Sequence, residues 1–404
     1  MNTKRLLTVF VVGYFCVTIS DAASRLDLEG IVGDEDNSVE RLAKDIKEDS
    51  RMRVDELITK HGYIGETHNV ETEDGYILTA HRIRNDNGKP IFLQHGLIDS
   101  SAGYVVMGPN ASLAYILADL GYDVWLGNAR GNRYSRGHTT MSVESESFWD
   151  FSWHEIGYYD IPAMINYVLE TTKNDKLDYI GHSQGCTSFF VMCATRPEFN
   201  NKIKSMQALA PAVYMSETKD HPYLRIVELY VKNPVITRNT GILSGEFKFI
   251  CKMSSDTLKT CMEALFSIIG RNKKEFNLKM FPVVLGHYPA GASAKQIRHF
   301  LQIINSGRFA EYNYGTSENL FKYRQFVPPI YNMSRVTAPI YIHYSANDLL
   351  VSPIDVEHLY EDLVNPMGKY LVPMKEFNHM DFLWAINAKT LVYDQIVKVL
   401  QKKL

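Results

Sequence analysis

A serine hydroxyl is a poor nucleophile until a neighbouring base takes its proton, and that base needs a carboxylate to fix its tautomer and stabilise its charge. Gly181-His182-Ser183-Gln184-Gly185 presents a serine suited to this chemistry. The segment directly follows the apolar run Leu177 to Ile180 and precedes the helix-compatible stretch Cys186 to Ala194. A strand-to-helix turn sharp enough to expose the serine demands small flanking residues, which the two glycines supply. Two glycines and a serine at this spacing arise by chance about one time in ten in a chain of this length, so the strand before and the helix after carry the weight. The bland reading is an ordinary strand-to-helix turn with an incidental serine.

On such a scaffold the chain order should be serine, acid, histidine. Asp348 follows the apolar run Ile340 to Tyr344, where a loop at the carboxyl end of a strand can present it. His379 follows the last apolar run, within Phe377-Asn378-His379-Met380-Asp381. Rivals are numerous among 13 histidines. His343 falls inside a strand, His358 in a helix and His287 in a long insertion, while His182 must point away from an exposed serine and is left for packing or hydrogen bonding. Asp355 lies in the helix after Asp348, and Asp381 is too close to His379 to orient it comfortably. An acyl-transfer intermediate also carries an oxyanion that needs two backbone N–H donors. Gln184, next to the nucleophile, and Leu97, in His95-Gly96-Leu97 after the strand Pro90 to Gln94, are the expected pair. No His-Glu-x-x-His helix and no cysteine pairs at zinc spacing occur, so neither a metal nor a cofactor is expected. Gly127 to Asn132 resembles a glycine loop but lacks the lysine and spacing for phosphate, and reads as a tight turn after a strand.

The elements that must hold these residues follow a strand, helix, strand rhythm. His68 to Glu73 and Tyr76 to Arg84 are strand-like runs joined by Asp74-Gly75, a hairpin turn pair. Short, mainly apolar runs follow at Pro90 to Leu93, Asp123 to Leu126, Leu177 to Ile180 and Met206 to Leu209, with helical stretches at Ser112 to Leu120 and Ile161 to Thr171. Two further runs, Ile340 to Tyr344 and Lys369 to Val372, precede a final helix from about Lys389 to Leu400. Mainly apolar strands alternating with helices describe an α/β fold with a mostly parallel sheet covered on both faces. Between Leu209 and Ile340 the rhythm stops, and the excess reads as one large insertion holding helical stretches at Tyr223 to Val231, Leu265 to Ile269 and Ile297 to Ile304.

With 43 basic and 46 acidic residues and no basic run interleaved with aromatics, a nucleic-acid partner is not expected. Lys4 and Arg5, the apolar stretch Leu6 to Ile19 and Ser20-Asp21-Ala22 read as a secretory signal cleaved after Ala22, too short to span a membrane as a helix of about 20 apolar residues would. An acidic arm, residues 23–50, follows without an assigned fold. In the oxidising compartment this implies, Cys251 and Cys261 are the better disulfide pair, whereas Cys186 and Cys193 share a buried helix face and read as packing. Asn110-Ala111-Ser112 and Asn332-Met333-Ser334 are glycosylation sequons that agree with this route.

Together the motifs GHSQG (181–185), LQHGL (93–97), YDVWLGNARGN (122–132), NDLL (347–350) and NHMDF (378–382) make the chain resemble the acid lipase family of α/β-hydrolases, over roughly Val54 to Val399. The resemblance implies an α/β-hydrolase core, residues 51–211 and 336–404, interrupted by a cap and lid at 212–335, with the lid around Asn239 to Ile269. It implies Ser183, Asp348 and His379 as a triad, Leu97 and Gln184 as oxyanion donors, and one disulfide at Cys251 and Cys261. The cysteine spacing is a residue longer than the family pattern, and a further cysteine typical of gastric lipases is absent. The expected activity is hydrolysis of lipid esters, triacylglycerols or cholesteryl esters, by a protein that is secreted or lysosomal and meets a lipid–water interface through its cap. An esterase for small soluble esters and a catalytically silent lipid-binding protein are the competing readings.

Overall fold

The computed structural model describes residues 44–218, 240–242 and 255–401. The signal segment, most of the acidic arm, the expected helix at Tyr223 to Val231, most of the expected lid, Cys251 and the side chain of Cys261 lie outside the described part. Eleven strands occur there: β1 (Gly65–Glu71), β2 (Tyr76–Ile83), β3 (Pro90–Gln94), β4 (Asp123–Leu126), β5 (Gly137–His138), β6 (Leu177–His182), β7 (Ile203–Leu209), β8 (Gly241–Ile242), β9 (Ala292–Ser293), β10 (Ile340–Tyr344) and β11 (Pro366–Leu371). Nine form one sheet in the order β1-β2-β4-β3-β6-β7-β10-β11, with β5 on the flank of β2. From β4 to β11 all neighbours are parallel, and the β1/β2 hairpin is the antiparallel margin.

Successive strand residues point to opposite faces, so a strand buried on both sides feeds two cores. Phe92, Trp125, Tyr179 and Ile342 pack on one face, and Ile91, Leu93, Val124 and Ile180 on the other. The principal helices in chain order are α1 (Val54–Lys60), α2 (Leu113–Asp119), α3 (Ile161–Thr172), α4 (Gln184–Thr195), α5 (Ser255–Ile269), α6 (Phe281–His287), α7 (Ala294–Ser306), α8 (Thr316–Tyr323), α9 (Pro353–Asp362) and α10 (Asp394–Gln401). The first face takes α3, α4, α7 and α9, the second α1, α2, α6 and α10. Cys186 and Cys193 are fully buried free thiols on α4, and burial pushes both well above the ordinary thiol range.

Differences from the sequence expectations lie at edges and in helices with little periodicity. The last strand begins at Pro366, three residues before the expected Lys369, and the final helix opens as a wide π turn over Lys389–Tyr393. The arm carries more structure than assigned. Residues 44–49 are helical, and His287 Nε2 donates to Asp49 O at 2.8 Å. The Ser50 backbone lies so close to Gly286 that a Cβ there would meet Ser50 O at 2.1 Å. Lys60 Nζ also pairs with Glu48 and Asp49 of the arm at 3.0 and 2.6 Å, so its charges take part in a docking that composition alone concealed. The stretch from β7 to β10 holds α5 to α8 and the short β8/β9 ribbon, outside the main sheet.

Candidate active site

Parallel strands deliver their following loops to one edge of the sheet, and four adjacent strands converge here. Gln94 of β3 pairs with Gly181 of β6, His182 with Leu209 of β7, and Leu209 with His343 of β10. Just beyond β6, Ser183 adopts φ 53 and ψ −117, a conformation hostile to side chains, and serves directly as the cap of α4. The glycines make this bend feasible. A Cβ at Gly185 would stand 2.2 Å from Gln94 O, and one at Gly181 would stand 2.8 Å from the Gly185 carbonyl carbon. Ser183 N donates to Leu209 O at 2.9 Å, which fastens the bend to β7. Ser183 is 9% exposed, and it opens a helix whose N-terminal N–H groups favour negative charge.

Asp348 and His379 are brought together. His379 Nδ1 donates to Asp348 Oδ2 at 2.7 Å, while Asp348 Oδ1 accepts from the N–H groups of Leu350 and Val351 at 2.8 and 2.9 Å. Both side chains are almost completely buried. The elbow and the histidine loop meet through His182, whose Nε2 donates to His379 O at 2.9 Å with the two rings 4.9 Å apart. Burial drives the His182 ring down to about 3, so it acts as a neutral donor. His182 therefore has the hydrogen-bonding role expected of it. The remaining rivals lie elsewhere: His343 is bonded to Gln207, His358 stacks on Tyr214, and Asp355 holds Ser216. Asp381 accepts from Asn378 N at 2.8 Å and from Asn272 Nδ2 at 2.7 Å, and does not face His379 Nδ1.

Two sets of contacts stand out that motif reading did not give. At the first, residues 269–272 grip the acid and histidine loops. His379 N donates to Ile269 O, Asn378 Nδ2 to Gly270 O and Asn347 Nδ2 to Arg271 O, at 3.2, 3.0 and 3.1 Å. Gly270, at φ +104, is so close that a Cβ would lie 1.9 Å from Asn347 O. The second set is the turn after β4. Arg130 is buried there, paired with Asp160 at 2.7 Å and with Asp74 at 2.6 Å, over the face of Tyr76. Gly96 brings the loop after β3 against Ser183, since a Cβ on it would lie 3.1 Å from Ser183 Cβ. Leu97 follows it, half-buried, and Ile98 takes φ 56, unusual for a β-branched residue. Gln184 is buried as the first residue of α4. Asn110 and Asn332 are exposed. Among the described residues no cluster of three or more His, Cys, Asp or Glu side chains could hold a metal ion.

The chain has relatives among known proteins. Residues 89–386 match the family described as alpha/beta hydrolase fold, and residues 54–108 the partial alpha/beta-hydrolase lipase region. The chain is 61% identical to Lipase 1 of Drosophila melanogaster, over 89% of this chain and 82% of that one. The chain belongs to the acid lipase family of α/β-hydrolases. Gastric triacylglycerol lipase of Mus musculus is 38% identical over 87% of this acid lipase family member and 92% of its own length, and Lipase member K of Homo sapiens 35% identical over 88% and 92%. Solved structures share the fold at lower identity. A bacterial membrane phospholipase A aligns with a TM-score of 0.52 at 12% identity over the whole of both chains, and an esterase from Thermogutta terrifontis with 0.52 at 14% identity over 83% of this chain and 98% of that one. No helix among the described residues is long and apolar enough to cross a membrane.

Proposed function

We propose that the protein is a serine lipase that hydrolyses carboxylic esters of lipids, triacylglycerols or cholesteryl esters, through an acyl-enzyme on Ser183. The observation that carries this reading is the 2.7 Å bond from His379 Nδ1 to Asp348 Oδ2 beside a serine held at positive φ. With Nδ1 committed to the carboxylate, Nε2 of His379 is the nitrogen left to take the serine proton, and Asp348 stabilises the imidazolium that results. The proton then passes to the leaving alcohol. Water repeats the sequence in reverse roles to release the fatty acid. The N–H groups of Leu97 and Gln184 receive the oxyanion in both tetrahedral intermediates.

Support for a lipid substrate comes from the relatives' names and from the stretch between β7 and β10, which we read as a cap at 212–335 with its lid around Asn239 to Ile269. Phe321, Phe326, Val327 and Ile330 of this stretch are exposed apolar side chains, suited to a lipid–water interface. Entry to the secretory pathway, a Cys251–Cys261 disulfide and glycans on Asn110 and Asn332 complete the proposal. Ser183→Ala should abolish hydrolysis of emulsified triolein while leaving the unfolding transition in place, and a fluorophosphonate should label the wild type alone. Turnover by the variant would refute the nucleophile. Preference for short soluble esters over the emulsion would make the protein an esterase, and lipid binding without labelling would make it a carrier.

A further inference from the structure

The Gly96 carbonyl and the Leu97 N–H are opposite ends of one planar peptide unit, so whatever fixes the carbonyl aims the amide hydrogen. His95 Nδ1 lies 2.7 Å from Gly96 O, and since a carbonyl only accepts, Nδ1 must carry the proton. The other side of the ring requires the same tautomer. Ala129 N donates to His95 Nε2 at 3.1 Å, and Asn132 Nδ2 approaches it at 3.2 Å, so Nε2 must be bare. The donors on that side are themselves anchored. Asn132 Nδ2 also bonds Asn128 Oδ1 at 2.9 Å, Asn128 Nδ2 bonds Thr79 O at 3.0 Å, and Arg130 between them is locked to Asp160 and Asp74. Burial pushes the His95 ring down to about 4, which keeps it neutral near neutral pH.

We infer that His95 is a positioning residue for the oxyanion site: its ring ties the rigid turn after β4 to the Gly96–Leu97 peptide and so aims the Leu97 amide at the reacting centre. The inference rests on the reading of Ser183 as nucleophile and Leu97 as donor. It gives the turn at Gly127 to Asn132 a task, since that turn supplies the fixed end of the linkage. A residue that merely filled space would need neither a protonated Nδ1 nor an acceptor at Nε2.

Asparagine can place an amide nitrogen near the position of Nδ1, and glutamine an amide oxygen near the position of Nε2. Hydrolysis of a soluble short-chain ester should therefore separate two variants. His95→Asn keeps the bond that fixes Gly96 O and gives up only the anchorage to the turn, so kcat should fall by no more than about threefold. His95→Gln keeps the acceptor for Ala129 but leaves the Gly96 carbonyl with only the longer bond from Asp99 N at 3.4 Å, and kcat should fall at least tenfold with KM unchanged, short of the 10²–10³-fold that follows complete loss of an oxyanion donor. Equal kcat in the two variants, or losses that simply follow Tm, would overturn the inference. A measurement on the unaltered protein covers variants that do not fold: nitrogen-15 spectra of histidine-labelled enzyme should show the His95 ring protonated at Nδ1 from pH 5 to 8, and a proton on Nε2 instead would overturn it. Ser183→Ala is assayed in parallel. Turnover surviving there would remove the nucleophile and this inference together, whereas a Ser183-dependent enzyme indifferent to the His95 variants would remove the inference alone.

Discussion

Asp348 uses both carboxylate oxygens, one for His379 and one for the N–H groups of Leu350 and Val351. An amide in its place must either turn its NH2 toward the imidazole or set it against two backbone donors. Asp348→Asn should accordingly lower kcat by about 10⁴-fold with KM little changed, the scale expected when the catalytic imidazole loses its tautomer; assay with a soluble short-chain ester checks it, and a loss below tenfold would contradict the assignment. The bend at Ser183 and the pairing of Asp348 with His379 were legible in the sequence because each residue is a reactive type set just beyond an apolar run. The hydrogen-bonding tasks of His95, Asn378 and Asn132 were not. Their partners are mostly backbone atoms brought near by the fold, and such partners leave no spacing pattern to read.

At the level of elements, the short runs read as strands all became strands, because fully buried strands need continuous apolar sequence and little else. The β10 boundaries, Ile340 to Tyr344, were legible to the residue. Strands β6 and β7 run longer than their apolar segments, since sheet pairing carries polar residues such as His182 and Ser205 along. Helices α1, α6 and α8 escaped notice, being too short to display periodicity. The turn after β4 was legible as a turn, but its buried charge was not. Arg130 meets Asp74 and Asp160 from separate parts of the chain, and removing one member of a buried ion pair leaves the other charges uncompensated. Arg130→Ala should cost about 3–5 kcal/mol. Urea denaturation measures this, and a loss under about 1 kcal/mol would show the pairs to be dispensable.

Across the whole molecule, burial sets a pH balance. His81 and His95 are driven down to about 4 and His182 and His343 to about 3, so these rings stay neutral when folded but take up protons below about 6.5 when unfolded. That lowers stability as the medium acidifies. Burial raises Asp99 and Asp381 to about 7, so both hold protons in the folded state that the unfolded chain releases above about 4. Their contribution runs the other way, present in acid and lost as pH rises through about 7. The double variant Asp99→Asn, Asp381→Asn should therefore lose more Tm between pH 7 and pH 5 than the wild type; an equal or smaller loss would argue against the two acids. None of this was visible without burial. The stretch between β7 and β10 was legible only as an interruption, because its helices lack the regular alternation of the core. Where α5 ends, the four bonds from residues 269–272 to Asn347, Asn378, His379 and Asp381 join it to the loops that carry the acid and the base. On the proposed reading of a lid, these bonds require its pivot to lie upstream of Ile269, like a door hung on a post already set in the wall.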